Sequence, residues 1–235
     1  MDADKDADDD RTMPPIPNSE IPANWGDFWD WLGIYQSHGE HGIIYQAQGY
    51  PQFLIKVVNC DITDDDGMND KITEFFMDNA DKDISGLPQI ISIIRCEAQD
   101  GINNQLKVKA QEGGASWLEL GSEVLDLEVG DELGMWMMEK VPYIGLTHPR
   151  LTRQEMIRRV ARAATEITVR TQFILKDLRP PNYGFRKDGS AVIFDPHVFE
   201  SPLDFTTIYD DRGYQSAETS RYMDYWKRIK VNAKV

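Results

Sequence analysis

The sequence predicts an α+β chain in which antiparallel sheet comes first and helix second. Three observations carry that prediction. Short apolar runs punctuated by Gly and Pro fill residues 32–60. A capping box, Thr152-Arg-Gln-Glu155, opens a long helical period. A compact hairpin pattern then spans 182–195.

Each element follows from its residues. Residues 1–23 are polar and proline-bearing, with six Asp and one Lys in 2–10, and read as a disordered acidic tail. A sharper reading of the same block is an acidic arm for a basic partner, or a DNA mimic. WGDFWDWLGIY, with Trp25, Phe28, Trp29 and Trp31, reads as a packed aromatic helix or cap. GIYQS and GIIYQAQ flank SHGEH as two strands, and PQFLIKVV follows a Gly-Tyr-Pro turn as a third. Met68, Ile72, Phe75 and Phe76 recur at helical spacing within 67–80. LPQIISIIRCEA is a strand. Residues 99–116, rich in Gly, Gln and Asn, read as a loop or hairpin, and 116–141 as two or three short strands.

Beyond Thr152, the apolar positions Met156, Val160, Ala163, Ala164 and Ile167 mark one face of a helix running to about Phe173 or Leu175. NYGFRK and AVIFD pair across Asp188-Gly189. SAETSRYMDYWKRIKV reads as a final helix with cations in its last turns. The expected organisation is a tail over 1–23, a sheet-rich lobe over 24–141 with an insertion near 99–130, and a short lobe over 142–235.

Composition narrows the function classes. The chain has 235 residues, 41% hydrophobic, enough for one large domain or two small lobes. No apolar run reaches the length of a membrane span, and the acidic N-terminus has no signal-peptide pattern. Net charge is −15, a field that repels nucleic acid and anionic membranes. Cys60 and Cys96 give no disulfide framework and read as small buried hydrophobes in a reducing, cytoplasmic setting.

The chemistry concentrates in KDLRPPNYGFRKDGSAVIFDP, residues 176–196. A helix delivers the chain to Asp177. Pro180 and Pro181 keep the next residues out of helix. Asn182 starts one hairpin strand and Asp195 ends the other, so the hairpin draws the two together. An amide oxygen beside a carboxylate is a hard-oxygen pair suited to Mg²⁺ carrying phosphates. Asp177 is placed to orient a hydroxyl and accept its proton. Arg179 is placed to offset charge on a transferring phosphoryl group.

At these residues the chain resembles the protein kinase family. DLRPPN is similar to the D-L-K-P-x-N catalytic loop, and VIFDP to the strand ending in the metal-binding Asp. Other parts follow in order upstream. SHGEHGIIY resembles the Gly-rich loop, with Ser37, Gly39 and Gly42 at its small-residue positions. FLIKVV resembles the strand that carries the phosphate-contacting Lys, here Lys56. Glu74 resembles the helix Glu that pairs with that Lys, with Asp70 and Asp78 as alternatives on the same face. WMMEKV resembles the hinge, with Met138 as gatekeeper and the backbone from Glu139 to Val141 facing adenine.

The resemblance covers about residues 31–200. It implies a bilobal kinase-like fold with an antiparallel-sheet N-lobe and a truncated helical C-lobe. It also implies ATP and Mg²⁺ as cofactors and Ser/Thr hydroxyls of proteins as substrates. Autophosphorylation would fall on Ser201, Thr206, Thr207, Tyr209 or Ser216.

The chain departs from the family at two places. Leu175-Lys176 stands where His-Arg precedes the catalytic Asp, which removes the usual Arg for a phosphorylated loop. Pro196-His197 stands where Phe-Gly follows the metal Asp, and a Pro there restricts any flip of the segment. The short C-lobe and the Asp-Pro are similar to the early protein kinases of T7-like bacteriophages. That likeness implies host proteins as substrates, of transcription or defence among them, and action in the host cytoplasm. A truncated lobe also leaves apolar surface for an oligomer partner. Two other classes remain open: a binding protein on a kinase scaffold, and a small-molecule phosphotransferase.

Overall fold

The computed structural model describes residues 16–39, 42–61, 68–115, 127–171, 173–176, 178–195 and 197–199. The expected strands within 116–126, the final helix over 216–231, the hydroxyl-rich segment from Ser201 to Ser216 and the acidic block before residue 16 lie outside the described residues.

Five strands form the first sheet: β1 (Leu32–Gly39), β2 (Gly42–Ala47), β3 (Tyr50–Asn59), β4 (Ile90–Glu97) and β5 (Glu132–Glu139). Their order is β1-β2-β3-β5-β4, and every pair is antiparallel. β5 lies between β3 and β4, and its six central residues are buried. A strand covered on both faces tolerates no exposed polar residue, and LGMWMM meets that demand.

Alternation sorts the sheet's residues onto two faces. One face carries Ile43, Tyr45, Ile55, Val57, Met135 and Met137 into a cluster with Phe28, Leu106 and Ala110. The other carries Val58, Trp136 and Met138 into a cluster shared with the second lobe. The helix α1 (Trp25–Trp31) covers the first face; Asn24 caps it by accepting the Asp27 N–H at 3.1 Å. The helix α2 (Met68–Asn79) covers the second through Ile72, Phe75 and Phe76.

Two expectations change here. Residues 16–23 are part of the packed body, not of a tail: Ile16 is buried in the outer cluster, and the Tyr50 hydroxyl donates to Glu20 at 3.1 Å. The two isoleucines of this proline-bearing stretch supply apolar anchors. The Gly-, Gln- and Asn-rich stretch expected as a loop or hairpin is the helix α3 (Ile102–Glu112). Ile102, Leu106 and Ala110 recur every four residues and bury one face, which outweighs the poor propensity of the Asn residues. Tyr45 donates its hydroxyl to the Leu106 carbonyl at 2.8 Å, tying α3 to the sheet.

The second lobe holds β6 (Tyr143–Ile144), α4 (Arg153–Thr171), β7 (Ile174–Lys176), β8 (Tyr183–Phe185), β9 (Ala191–Ile193) and β10 (His197–Phe199). The capping box forms as its residues predict: Glu155 N–H donates to Thr152 Oγ1 at 3.3 Å, and Thr152 N–H to Glu155 Oε2 at 2.9 Å. The helix ends at Thr171, sooner than expected. The chain then enters β7, which pairs antiparallel with β10. β6, β8 and β9 make a three-stranded sheet in the order β6-β8-β9.

The lobes touch through the connection before β4. Ile193 N–H donates to the Gly86 carbonyl at 2.9 Å. A Cβ on Gly86 would sit 2.9 Å from Ala163 Cβ, so only glycine admits this approach. Among the described residues the architecture is α+β, an antiparallel-sheet lobe followed by a short helical one, as a kinase-like fold with a truncated C-lobe requires. No described helix is long and apolar enough to cross a membrane.

Candidate active site

Lys56 sits on the face of β3 that looks toward the second lobe. Its ladder partners are Ile44 on β2 and Trp136 on β5. The residue is only 8% exposed, so its ammonium needs a counter-charge. Asp195 supplies it, with Nζ 2.5 Å from Oδ1. The Trp136 ring lies 5.5 Å from the same ammonium, close enough for a cation–π contact.

Asp195 reaches this position because the β8–β9 hairpin closes as expected, Tyr183 opposite Ile193. The turn holds Asp188, whose carboxyl lies below the ordinary range because the Ser190 N–H and then its hydroxyl donate to it. Asn182 ends a 3-10 turn, Pro180–Asn182, and is itself buried. Its carbonyl accepts the N–H of Phe194 at 3.1 Å and that of Asp195 at 3.3 Å. Two residues thirteen positions apart are thereby held against each other.

The loop before them is anchored on both sides. Leu175 and Leu178 are fully buried in the inter-lobe core. Leu175, standing where the family has His, is thus a packing residue. Asp177 lies outside the described residues. Arg179 is exposed, and its carbonyl accepts the Asn182 N–H at 2.9 Å. Beyond Asp195, β10 pairs His197 with Lys176 and so fixes the chain directly after the Asp-Pro.

Gly39 and Gly42 face each other at the end of the β1–β2 hairpin; residues 40 and 41 lie outside the described residues. A Cβ on Gly42 would meet Val58 Cγ1 at 2.9 Å and the Val57 carbonyl at 3.0 Å, with Lys56 Cε at 3.6 Å. Glycine there lets the hairpin backbone lie against β3 beside Lys56. His38 lies on β1, with its Nδ1 2.6 Å from the Tyr35 hydroxyl.

One expected pairing is not built. Glu74 does not pair with Lys56. Its side chain is 61% exposed and stands 4.0 Å from Arg95 on β4. Asp70, the alternative on that helix face, pairs with Arg95 at 2.7 Å, and Glu132 does so at 3.2 Å. One guanidinium therefore gathers the acidic face of α2 that the sequence offered to Lys56. At the hinge, the Glu139 N–H donates to the Gln89 carbonyl at 2.9 Å and the Lys140 N–H to Gln52 at 2.7 Å. Both N–H groups are thus already engaged, and Val141 is buried just after β5.

Glu139 does different work. Both its carboxylate oxygens accept from Arg186 Nε at 3.1 Å, and Arg186 also donates to the Ser85 and Leu87 carbonyls at 2.8 and 3.1 Å. Arg95, Trp136 and Arg186 went unread in the sequence. Only Trp136 had a signal, its place in the continuous apolar run LGMWMM.

The donor chemistry fits Mg²⁺. A carboxylate on Asp195 and a side-chain amide on Asn182 are hard oxygens, and Mg²⁺ is ordinarily held by one or two carboxylates plus phosphates. The described residues contain no cluster of three His, Cys, Asp or Glu that would hold a metal by itself. A cavity of about 360 Å³ lies elsewhere, between β1, the β2–β3 turn and the end of α3, and none of the candidate site residues lines it.

No protein-family model matches the chain, and no curated protein matches it. Among solved structures it is similar to the PknI kinase domain of M. tuberculosis, at 15% identity and a TM-score of 0.41. That match covers 70% of this chain and 56% of the other, so the chain spans little more than half the length of that structure. The geometry of the site stands apart from that likeness.

Proposed function

We propose that the chain is a Mg-ATP-dependent protein kinase acting on Ser/Thr hydroxyls. The observation that carries this reading is the convergence of Lys56 and Asp195, from opposite lobes, beside Asn182. A buried lysine in contact with a carboxylate, with the Asn182 backbone held against that carboxylate's residue, supports a site for a metal-bound polyphosphate. Lys56 would hold phosphate oxygens, and Asp195 and Asn182 would hold Mg²⁺, which would supply charge neutralisation on the phosphates. Asp177 orients the acceptor hydroxyl and takes its proton, and Arg179 offsets charge on the transferred group. Gly42 lets the hairpin backbone lie against β3 beside Lys56. Host proteins as substrates, and a phage origin, belong to this proposal through the sequence resemblance alone.

One observation favours a second reading, a binding protein on the same scaffold. The metal-side carboxylate is neutralised by Lys56, and Glu74 is turned to Arg95. The test is transfer of labelled γ-phosphate from ATP with Mg²⁺ onto the protein and onto a bacterial lysate. Wild type is compared with Asp177→Asn and Asp195→Asn. Transfer abolished by both substitutions supports the kinase. No transfer from folded wild type leaves the binding reading.

A further inference from the structure

Among the described residues, the Lys56 ammonium is held by two side chains. One is Asp195, whose Oδ1 comes to 2.5 Å from the second lobe. The other is Trp136, whose ring centroid lies 5.5 Å from Nζ and belongs to the same sheet as the lysine. The acids of α2 do not join them, because Asp70 and Glu74 turn to Arg95.

Trp136 is built into its place beside the lysine. It stands opposite Lys56 in the β3–β5 ladder, so both side chains leave the same face of the sheet. It is fully buried, with the Phe76 ring of α2 at 5.7 Å, centroid to centroid. Its indole Nε1 has no hydrogen-bond partner among the described residues. A buried N–H without a partner is a cost that Phe or Leu at this position avoids. The indole is therefore not kept here for its N–H. What it offers Lys56 is the ring face, and a Trp face attracts a cation more strongly than that of Phe or Tyr. Removal from water strengthens the attraction, and Lys56 is only 8% exposed.

We propose that Trp136 is the positioning residue for Lys56: its aromatic face, in place of a carboxylate from α2, keeps the ammonium aimed at the anionic ligand of the site. A ring does this without adding negative charge beside metal-bound phosphate. It also keeps its hold on the ammonium when Asp195 serves the metal. The part that concerns polyphosphate rests on the kinase reading; the hold on Lys56 does not.

The test compares full-length wild type with W136F, W136L and F76L. Lys56 is followed by NMR of protein labelled at its lysines, its signals assigned by their loss in K56M. F76L truncates the neighbouring ring of the same core and reports what packing alone does. In wild type the Lys56 side-chain protons should lie upfield of those of the other lysines, because a ring current shields nuclei above its face. W136L should abolish that displacement, W136F should keep at least about half of it, and F76L should keep it in full. In γ-phosphate transfer W136L should raise KM for ATP at least about fivefold, with W136F within about twofold of wild type. F76L should leave KM unchanged whatever its loss in unfolding midpoint. Undisplaced Lys56 signals in wild type would overturn the proposal, and that result stands even where W136L does not fold. So would signals equally displaced in W136L, or a KM that F76L raises as far as W136L does. Wild type that transfers no phosphate removes the kinase reading alone, and the Lys56 signals still decide the hold of the ring.

Discussion

Lys56 and Asp195 stand 139 positions apart in the chain and 2.5 Å apart in space. Their side chains are unequally covered, 10% exposed for Lys56 and 38% for Asp195. Removing the carboxylate strands a buried ammonium, whereas removing the ammonium leaves a carboxylate that water still reaches. Asp195→Asn should therefore cost about 1–3 kcal/mol, less than a fully buried pair because solvent screens one side. Lys56→Met should cost less. The double variant should recover part of the sum, measured by urea unfolding of all four proteins. A double variant whose loss equals the sum would mean the pair contributes no coupling.

Arg95 holds the acidic face of α2, and this sets up a separation between stability and transfer. Glu74 is exposed and stands at the limit of ion-pair distance, so Glu74→Gln should change stability by less than about 0.5 kcal/mol. Arg95→Met should cost about 1–3 kcal/mol, because Asp70 and Glu132 lose a shared partner of low exposure. If Glu74 moves to Lys56 during turnover, Glu74→Gln lowers γ-phosphate transfer without moving the unfolding midpoint. Unchanged transfer would take Glu74 out of the chemistry.

Arg186 fastens the β8–β9 hairpin to Glu139 and to the connection between α2 and β4. Its fork serves one carboxylate and two carbonyls, a geometry that an ammonium does not reproduce. Arg186→Lys should lose about 1–2 kcal/mol and Arg186→Met about 2–4 kcal/mol by urea unfolding. A lysine variant as stable as wild type would show that charge alone suffices there.

The sequence made most strands of the first sheet and the two principal helices legible because burial writes its pattern into the residues, one apolar face for a helix and a continuous apolar run for β5. The 182–195 hairpin was legible for the same reason, and its closure placed Asn182 against Asp195 without any long-range information. What escaped was set by tertiary contact. Arg95 lies 21 positions beyond Glu74 and meets it only because β4 runs beside β5, which no local pattern reports. Glu139 was read as backbone at a hinge, yet its carboxylate is claimed by a residue 47 positions away. β7 and β10 are three residues each, too short for periodicity, and exist by pairing with each other. α3 was misread although Ile102, Leu106 and Ala110 signalled it, because Gly101 and the Asn residues weigh toward a turn when propensity is considered alone.

The capping box at α4 gives a pH-dependent prediction whose sign is fixed by geometry. Glu155 accepts from the Thr152 N–H and then the Thr152 hydroxyl, and these two bonds lower its carboxyl pKa from the ordinary value of 4.5. A group with a depressed folded-state pKa stabilises the fold above its unfolded value and loses that contribution as pH falls through the folded one. Wild type should therefore exceed Glu155→Gln in stability at neutral pH. The gap should stay constant down to about pH 5 and close in more acid solution, as both side chains become neutral. Thr152→Ala removes the partner that causes the shift and the cap itself, at a cost of about 0.5–2 kcal/mol. In that background Glu155→Gln should be nearly silent at every pH. Unfolding midpoints of the four proteins between pH 3 and 7 decide the matter. A wild-type advantage over Glu155→Gln that persists at pH 3 would place the stabilisation in something other than the Glu155 carboxylate.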